Sequence, residues 1–510
     1  MGILVEQAKS SKPNKGDLSI GAILATTARL IPESEEPYIV GGFLRDSLLE
    51  RPSNDLDITI KGEPNKLAVL LAKETGGIFV KLGQPENIAR VIIGDKSLYH
   101  IDISTRIGNL HEDLARRDFS VNAIGLPISA MLDNNWRSQI IDPFGGIEDI
   151  VRGLIRATSG TVFVDDPVRM LRAIRLKATL GFDIHTETLA EIKRDASLLK
   201  HAPAERIRDE LLLILSTGNA VDHIYLFDDL GLLELIFPEL GNGRETSQPI
   251  EHHWHVLQHN IETVRNAEGL LKSSLTPKWV MDEIPWHMDS IEHFDEIISD
   301  GHSRGTLLKL ASLLHDVAKP ETKSVTSNGK TRFLGHHIKG ADLTKQILSR
   351  LRLSRRGIKA ISSQVRHHLR PGQLSQGNEI PSRRAIYRYF RDVGDIAIDT
   401  VFLSLADFLA ARGPDLRKKE WANHSRKLGH ILDVGLSTSY NPVTKKLLDG
   451  NELMKFLDIK PGPTLGTILT AIQEAQFTGE IVDKDQALGL AKTLFNAGLA
   501  HSGRIAGENA

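Results

Sequence analysis

Between residues 20 and 160, short apolar runs alternate with longer stretches in which apolar residues recur every three or four positions. The runs at 38–40, 56–60, 78–80, 89–93 and 99–103 are rich in Ile and Val and read as strands, so this part of the chain predicts a mixed α/β unit. Beyond residue 160 the pattern turns almost wholly helical, with three- and four-residue spacing over 186–196, 204–215, 307–317, 344–351 and 397–411. Stretches rich in Gly, Pro, Ser and Asn interrupt it at 238–249, 327–329, 412–414 and 437–442. The fold class expected is α+β multidomain: an α/β part over 20–157, then helical parts over 158–245, 246–425 and 426–510.

Composition narrows this. A chain of 510 residues is too long for one core. With 41% apolar and 25% charged residues it has the balance of a globular protein, and no apolar run approaches the roughly 20 residues that would span a bilayer. The polar stretch from Met1 to Asp17 has no signal-peptide character, which sets the expectation of a cytoplasmic protein without membrane contact. Cysteine is absent, so disulfides and thiolate chemistry are excluded, and only Asp, Glu and His remain as metal ligands. A net charge of −2 argues against indiscriminate coating of nucleic acid and leaves any grip on it to local clusters such as Arg169, Arg172, Arg175 and Lys177.

The first chemical cluster follows the first strand, where Gly41-Gly42 leads into Phe43-Leu44-Arg45-Asp46 and Asp55-Leu56-Asp57 lies on the next strand. Residues two apart in a strand face the same way, which sets the two carboxylates about 7 Å apart on one face, a spacing suited to divalent metal. Glycines before a helix let a phosphate approach backbone N–H groups. Two carboxylates sharing Mg²⁺ meet the needs of in-line nucleotidyl transfer, with Asp102 as a third acidic candidate. An isolated Asp-x-Asp is usually a solvated strand edge; the preceding Gly-Gly-x-x-Arg-Asp changes the weighting.

A second cluster runs from Asp113 to Ala123 and includes Arg117, Asp118 and Asn122. Arginine forks onto triphosphate oxygens, while Asp or Asn can bond ribose hydroxyls. In the third, Asp166 is expected to cap a helix opened by Pro167, with Arg169, Arg172 and Arg175 along one side and Asp165 ahead of it. The plain alternative for that segment is a capped helix with exposed basic residues.

Taken together, the three clusters resemble the class II tRNA nucleotidyltransferase and bacterial poly(A) polymerase family. The resemblance implies a polymerase-β-like palm followed by helical neck, body and tail. It implies that Asp55 and Asp57 hold catalytic metals and that Gly41, Gly42, Arg45 and Asp46 shape the phosphate site. Arg117, Asp118 and Asn122 would contact ribose and triphosphate, and Asp165, Asp166 and Arg169, with Arg172 beyond them, would read the incoming CTP or ATP. The likeness continues through Asp142-Pro143-Phe144-Gly145-Gly146 and the helix around Glu205–Leu211. Two features depart from the pattern. Asp165 stands where the family usually has Glu, and only residues 107–112 separate Arg106 from Asp113 where full CCA-adding members carry a longer loop, which leaves CCA, CC-only or A-only addition open.

Further along, His259, the pair His315-Asp316 within Leu313-Leu314-His315-Asp316-Val317-Ala318-Lys319-Pro320, and Asp407 occur in the order that resembles the HD phosphohydrolase superfamily. That resemblance implies a divalent ion of unspecified identity, with His336 a further ligand and the pair His367-His368 additional candidates. His252, His253 and His255 read as surface residues of a polar lead-in. Segments near 447–453 and 459–466 resemble the C-terminal part of HD-bearing tRNA nucleotidyltransferases. The expectation is an enzyme acting on the 3′ end of tRNA or another RNA, using CTP and ATP. A poly(A) polymerase is the near alternative, disfavoured by an end, Ile505 to Ala510, that is not basic. An HD phosphohydrolase whose palm only binds RNA is the distant one, disfavoured by the retention of both Asp55 and Asp57.

Overall fold

The structure, a computed structural model, describes residues 19–82, 87–94, 99–272, 276–284, 288–377, 379–436 and 446–498; the break expected at 437–442 and both chain ends considered above lie outside the described residues. Two compact units result. One comprises Met1–Glu210 with Asp229–Leu235, the other Leu211–Asp228 with Ile236–Ala510.

The first unit is built on six strands: β1 (Tyr38–Val40), β2 (Asp55–Ile60), β3 (Ile78–Lys81), β4 (Ile88–Ile93), β5 (Tyr99–Thr105) and β6 (Gly125–Pro127). They are ordered β3-β4-β5-β2-β1-β6, with β2 and β5 parallel and every other pair antiparallel. Alternation along the strands decides what each face does. Leu56, Ile58 and Ile60 on β2, Ala89, Val91 and Ile93 on β4, and Ile101 and Ile103 on β5 are buried. The helix Pro64–Thr75, which buries Leu67, Ala68 and Leu71, packs on this side of the sheet. The intervening residues Asp55, Asp57, Arg90, His100 and Asp102 therefore share the opposite face. The edge strand β6 escapes the hydrophobic pattern because it is three residues long and ends in Pro127. The strand expected at 38–40 forms with those bounds, and the other four expected strands gain a residue or two at their ends, Asp55 among them.

Helices take over from Arg169. In the second unit the helix Arg304–Leu314 is buried at every one of its 11 residues, so it forms the middle of a bundle with Val256–Leu271, Arg355–His367 and Ala397–Arg412 around it. The segment expected as a helix over 307–317 is shifted: it starts at Arg304, capped by the Ser303 hydroxyl, and ends at Leu314, leaving His315 and Asp316 in the turn that follows. The one expected over 344–351 begins at His336, because His336, His337 and Lys339 hide its first turn from a hydrophobic pattern. The one expected over 186–196 ends at Asp195 and passes into a tighter turn. Three last helices, Gly450–Leu457, Pro463–Thr478 and Lys484–Asn496, close around Leu453, Ile468, Ile472 and Ala487. Among the described residues no helix is long and apolar enough to cross a membrane.

Candidate active sites

On the open face of the sheet, β1 runs out at Gly41, whose φ of +79° turns the chain into the helix Gly42–Leu48. A side chain here is excluded twice over. Its Cβ would stand 2.8 Å from Arg117 Nη1 and 2.9 Å from Asp57 Oδ2. The backbone thus passes directly over the Asp57 carboxylate, and Asp55 lies beside it on the same face of β2, exposed, with His100 Nδ1 3.1 Å away. Burial pushes Asp57 above the usual carboxylate range; Arg117 opposes this, and the nearby charges of Asp102 and Asp55 add to it. Among the described residues no side chain donates a hydrogen bond to Asp57, so its charge lacks a close donor.

Register explains Asp102. It is the parallel partner of Asp57 and the antiparallel partner of Arg90, so the three lie in one row across the sheet. Arg90 Nε and Nη2 each donate to one oxygen of Asp102 at 2.7 Å. Both oxygens of Asp102 are thus engaged by a guanidinium, unlike those of Asp57.

The second cluster folds against the first through a continuous chain of bonds. Arg45 Nη1 donates to Asn122 Oδ1 (2.6 Å), Arg45 Nε donates to Asp46 (2.9 Å), and Asn122 Nδ2 donates to Asp118 (2.9 Å). Arg172 Nη1 reaches the other Asp118 oxygen at 3.1 Å. Burial alone would raise Asp118, but the Arg172 charge and the donors Asn122, Arg172 and the Phe119 N–H hold it below its ordinary value. Beyond Arg172, Glu210 receives Arg172 Nε at 3.3 Å and Arg175 Nε at 2.6 Å. Asp142 supports this wall from behind by accepting from the N–H groups of Gly146 and Ile147, while Gly146 leaves no room for a Cβ, which would lie 2.2 Å from the Ser120 carbonyl oxygen.

One cavity is lined by Gly41, Gly42, Arg45, Asp46, Asp55, Asp57, Arg117, Asp118, Asn122 and Arg172, together with Ser53 and Arg175. Asp165, Asp166 and Arg169 do not line it. The helix starts at Arg169 with Val168 at its cap position, so Asp166 is not the N-cap expected; its carboxylate instead accepts from the Val168 N–H and takes both arms of Arg206 at 3.0 and 2.6 Å. Arg169 donates to the Arg116 carbonyl at 2.9 Å, and Asp165 accepts from Thr161 at 3.3 Å. Arg90, His100 and Glu210 carry no signal of their own in the sequence, since only cross-strand register and helix packing bring them in. The six residues 107–112 form a short turn and the start of a helix locked by reciprocal bonds between Asn109 and Glu112, not an extended loop.

The second unit holds a different constellation. His259 Nε2 lies 3.2 Å from His315 Nε2, 3.3 Å from Asp316 Oδ2 and 3.1 Å from Asp407 Oδ1. On the far side of Asp316, its Oδ1 faces His336 Nε2 at 3.3 Å and His368 Nε2 at 3.7 Å. Asp316 is fully buried and sits between the two groups. Of the pair His367-His368 only His368 enters. His252 corrects the sequence reading: it is half-buried, its ring centroid 5.3 Å from that of His259, whereas His253 and His255 are exposed. Lys319 Nζ contacts Asp316 Oδ2 at 2.5 Å and Gln248 Oε1 at 2.7 Å.

Three observations fit this cluster to cations. Nε2 of His336 and Nε2 of His368 face each other at 3.4 Å while Nδ1 of each ring is taken up by a backbone carbonyl, so two lone pairs meet in the neutral rings, which a shared cation would relieve. His336 and His368 are each anchored by Nδ1 on a backbone carbonyl, Phe333 and Val365, which aims Nε2 inward. Burial would lower His315, but Asp316 and Asp407 push it up to about 10, so positive charge is favoured where the cluster converges. Two triads meet the spacing of a metal site, His259-His315-Asp407 and His315-Asp316-His368.

A sheet that presents paired carboxylates under a glycine turn, walled by arginines, defines with the helical units that follow a nucleotidyltransferase of the polymerase-head type. Comparison with known proteins assigns the chain more closely. Residues 37–156 match the poly A polymerase head domain, 181–242 the probable RNA and SrmB-binding site of polymerase A, 287–412 the HD domain and 443–491 the putative tRNA nucleotidyltransferase domain 2. The A-adding tRNA nucleotidyltransferase of Deinococcus radiodurans is 31% identical over 88% of this chain and 93% of its own length. The CC-adding tRNA nucleotidyltransferase of Thermus thermophilus is 30% identical over 89% and 92%. In fold, the Thermotoga maritima CCA-adding enzyme complexed with tRNA aligns with a TM-score of 0.60 at 21% identity, over 97% of this chain and 98% of that one. The chain belongs to the tRNA nucleotidyltransferase family and is an enzyme that uses divalent metal. His259, expected in this cluster from the sequence, lies outside the residues matched to the HD domain, and the fold sets its Nε2 3.2 Å from that of His315.

Proposed function

We propose that this enzyme adds C, A or both to the 3′ end of tRNA from CTP and ATP. The observation that carries this is the single cavity in which Asp55 and Asp57 face Arg45, Arg117, Asp118, Asn122 and Arg172. Asp55 and Asp57 would hold Mg²⁺, which supplies charge neutralisation on the triphosphate and a lower pKa for the attacking hydroxyl. Arg117 and Arg172 reach the triphosphate as forked donors. Asp118 and Asn122, already fixed by Arg172 and Arg45, offer acceptors to the ribose. Asp102 is assigned to Arg90, which engages both of its oxygens, rather than to the metal. The hydrogen-bonding edges of Asp166, Arg169 and Arg206 favour a role in reading the base one helical turn beyond Arg172. The test is a gel assay on tRNA ending before CCA, after C and after CC, with CTP and ATP supplied separately. Extension of none of the three with either nucleotide overturns the proposal, and indefinite A addition to any RNA would move it to a poly(A) polymerase.

Gly41→Ala tests the same cavity. The added methyl displaces Arg117 or Asp57 by a few tenths of an ångström and strains the backbone, so kcat/KM for the nucleotide should fall roughly 100-fold in folded protein. Steady-state kinetics with unchanged circular dichroism would check it; retained activity would show that neither neighbour needs its present position.

A second reading is favoured by the buried histidine–aspartate cluster: hydrolysis of phosphoesters at RNA ends. His259, His315 and Asp407 would hold one divalent ion and His336 and His368 a second, with Asp316 between them. A bound ion supplies activated water. Lys319, held against Asp316, lends positive charge to the cavity that opens over the cluster between Arg332, Phe333 and Phe408.

A further inference from the structure

The helix Arg355–His367 delivers His368 to the buried cluster from its C-terminal end, and its outer face is charged in one sign only. Arg355, Arg356, Lys359 and Arg366 are all exposed, on the side opposite the buried Ala360, Ile361, Gln364 and Val365. Among the described residues none of the four side chains forms an ion pair or hydrogen bond. Asp342, the acid that feels Arg366, is itself held by Lys345 at 2.9 Å.

Two features make this more than an ordinary solvated face. The first turn of the helix carries Arg355 and Arg356 and no acid, although a helix N-terminus disfavours positive charge, so the arrangement runs against the helix's own stability. Another arginine-dense helix, Arg383–Val393, has matched charges: Arg384 and Arg388 share Glu474 at 2.8 and 3.0 Å, and Arg391 holds Asp392 at 2.7 Å. In a chain of net charge −2, an unmatched row is a local feature and not a bulk excess. The row also continues. The helix ends at His367, the next residue His368 lines the cavity over the cluster, and the lining of that cavity also carries Lys330 and Arg332, likewise without acidic partners among the described residues.

We propose that this ridge is a track for the phosphodiester backbone of an RNA strand whose 3′ end enters the histidine–aspartate cavity, so that the cavity acts on a polymer end and not on a free nucleotide. This deepens, and rests on, the hydrolase reading given above. Three turns of helix separate Arg355 from Arg366, a length that engages several phosphates at once, and phosphate contacts bind without regard to sequence.

The test compares the full-length protein with a variant carrying Arg355→Gln, Arg356→Gln, Lys359→Gln and Arg366→Gln. The probes are a short fluorescent oligoribonucleotide ending in a 2′,3′-cyclic phosphate and the small diester bis(p-nitrophenyl) phosphate. In the variant, KM for the oligonucleotide should rise at least about tenfold while hydrolysis of the small diester stays the same. The slope of log affinity against log salt should become shallower by about 0.7 for each phosphate that the variant no longer neutralises. Equal change in both substrates, or an unchanged slope, overturns the track. So does loss of polyglutamate binding with none of RNA binding, which would assign the ridge to an acidic protein. If neither probe is hydrolysed by the unaltered protein, the hydrolase reading fails, and the salt slope still decides whether RNA lies on the ridge.

Discussion

Replacing Asp57 with Ala should reduce incorporation of CTP and ATP by roughly 10³–10⁵ while leaving the hydrolytic activity of the second unit within about twofold. The size follows from geometry. Asp57 is a buried carboxylate with no side-chain donor among the described residues, seated under the Gly41 turn between Arg117 and Asp102, and loss of metal-borne charge stabilisation costs several kcal/mol, each 1.36 kcal/mol being tenfold in rate. Asp55→Ala should behave alike, though it is exposed and paired only with His100. Because neither carboxylate is needed by the core of Ile58, Val91 and Ile101, thermal unfolding should change little or rise, since removing Asp57 relieves repulsion with Asp55 and Asp102. The decisive pairing is activity against Mn²⁺ binding followed by electron paramagnetic resonance: both should be lost from the first unit. An Asp57→Ala protein that keeps its transfer rate would leave the cavity without its proposed metal and the proposed function without its support.

How much of this is legible in the sequence depends on how far apart the interacting residues lie. Local signals carry well: the Asp-x-Asp strand, the glycine turn and the helix Ala204–Leu215 are each set by a few neighbouring residues, and the structure forms them where the pattern puts them. Contacts fixed by register do not carry. That Arg90 rather than a metal faces Asp102 follows from a hairpin pairing β4 to β5, and nothing in the run from Ile88 to Ile93 announces it. Glu210 reaches Arg172 and Arg175 only because two helices pack, and in the sequence it is simply part of a helical stretch. The histidines show the same limit. His252 resembles its two surface neighbours in sequence because its burial depends on the His259 and Lys319 side chains folded over it, contacts that span 7 and 67 residues. The Asp166 expectation fails for a local reason: with the next turn already bonded from Arg169 to the Asp166 carbonyl, the helix proper starts later and the Asp166 carboxylate is turned to Arg206.

The converse substitution, Asp316→Asn, should abolish phosphoester hydrolysis, by about 10³ or more, while nucleotide incorporation stays within about twofold. Asp316 contacts both halves of the cluster: Oδ2 faces His259, His315 and Lys319, and Oδ1 faces His336 and His368. An amide of the same shape removes the one negative charge common to both groups, so metal content measured by mass spectrometry should fall from two ions per chain in the second unit to one or none. Stability should fall too, by about 3–5 kcal/mol in metal-free protein, because Lys319, buried on Asp316, is left as an uncompensated charge. Asp316 and Asp407 raise His315 to about 10 in the folded protein, so that contribution is fully present below pH 6.5 and is lost as pH rises towards 10. The Asn variant should therefore lose most stability relative to the unaltered protein at low and neutral pH, and the gap between the two unfolding midpoints should narrow as pH rises towards 10. If a folded Asp316→Asn protein also lost nucleotide transfer, the two sites would not be independent, and assigning separate chemistries to the two units would fail.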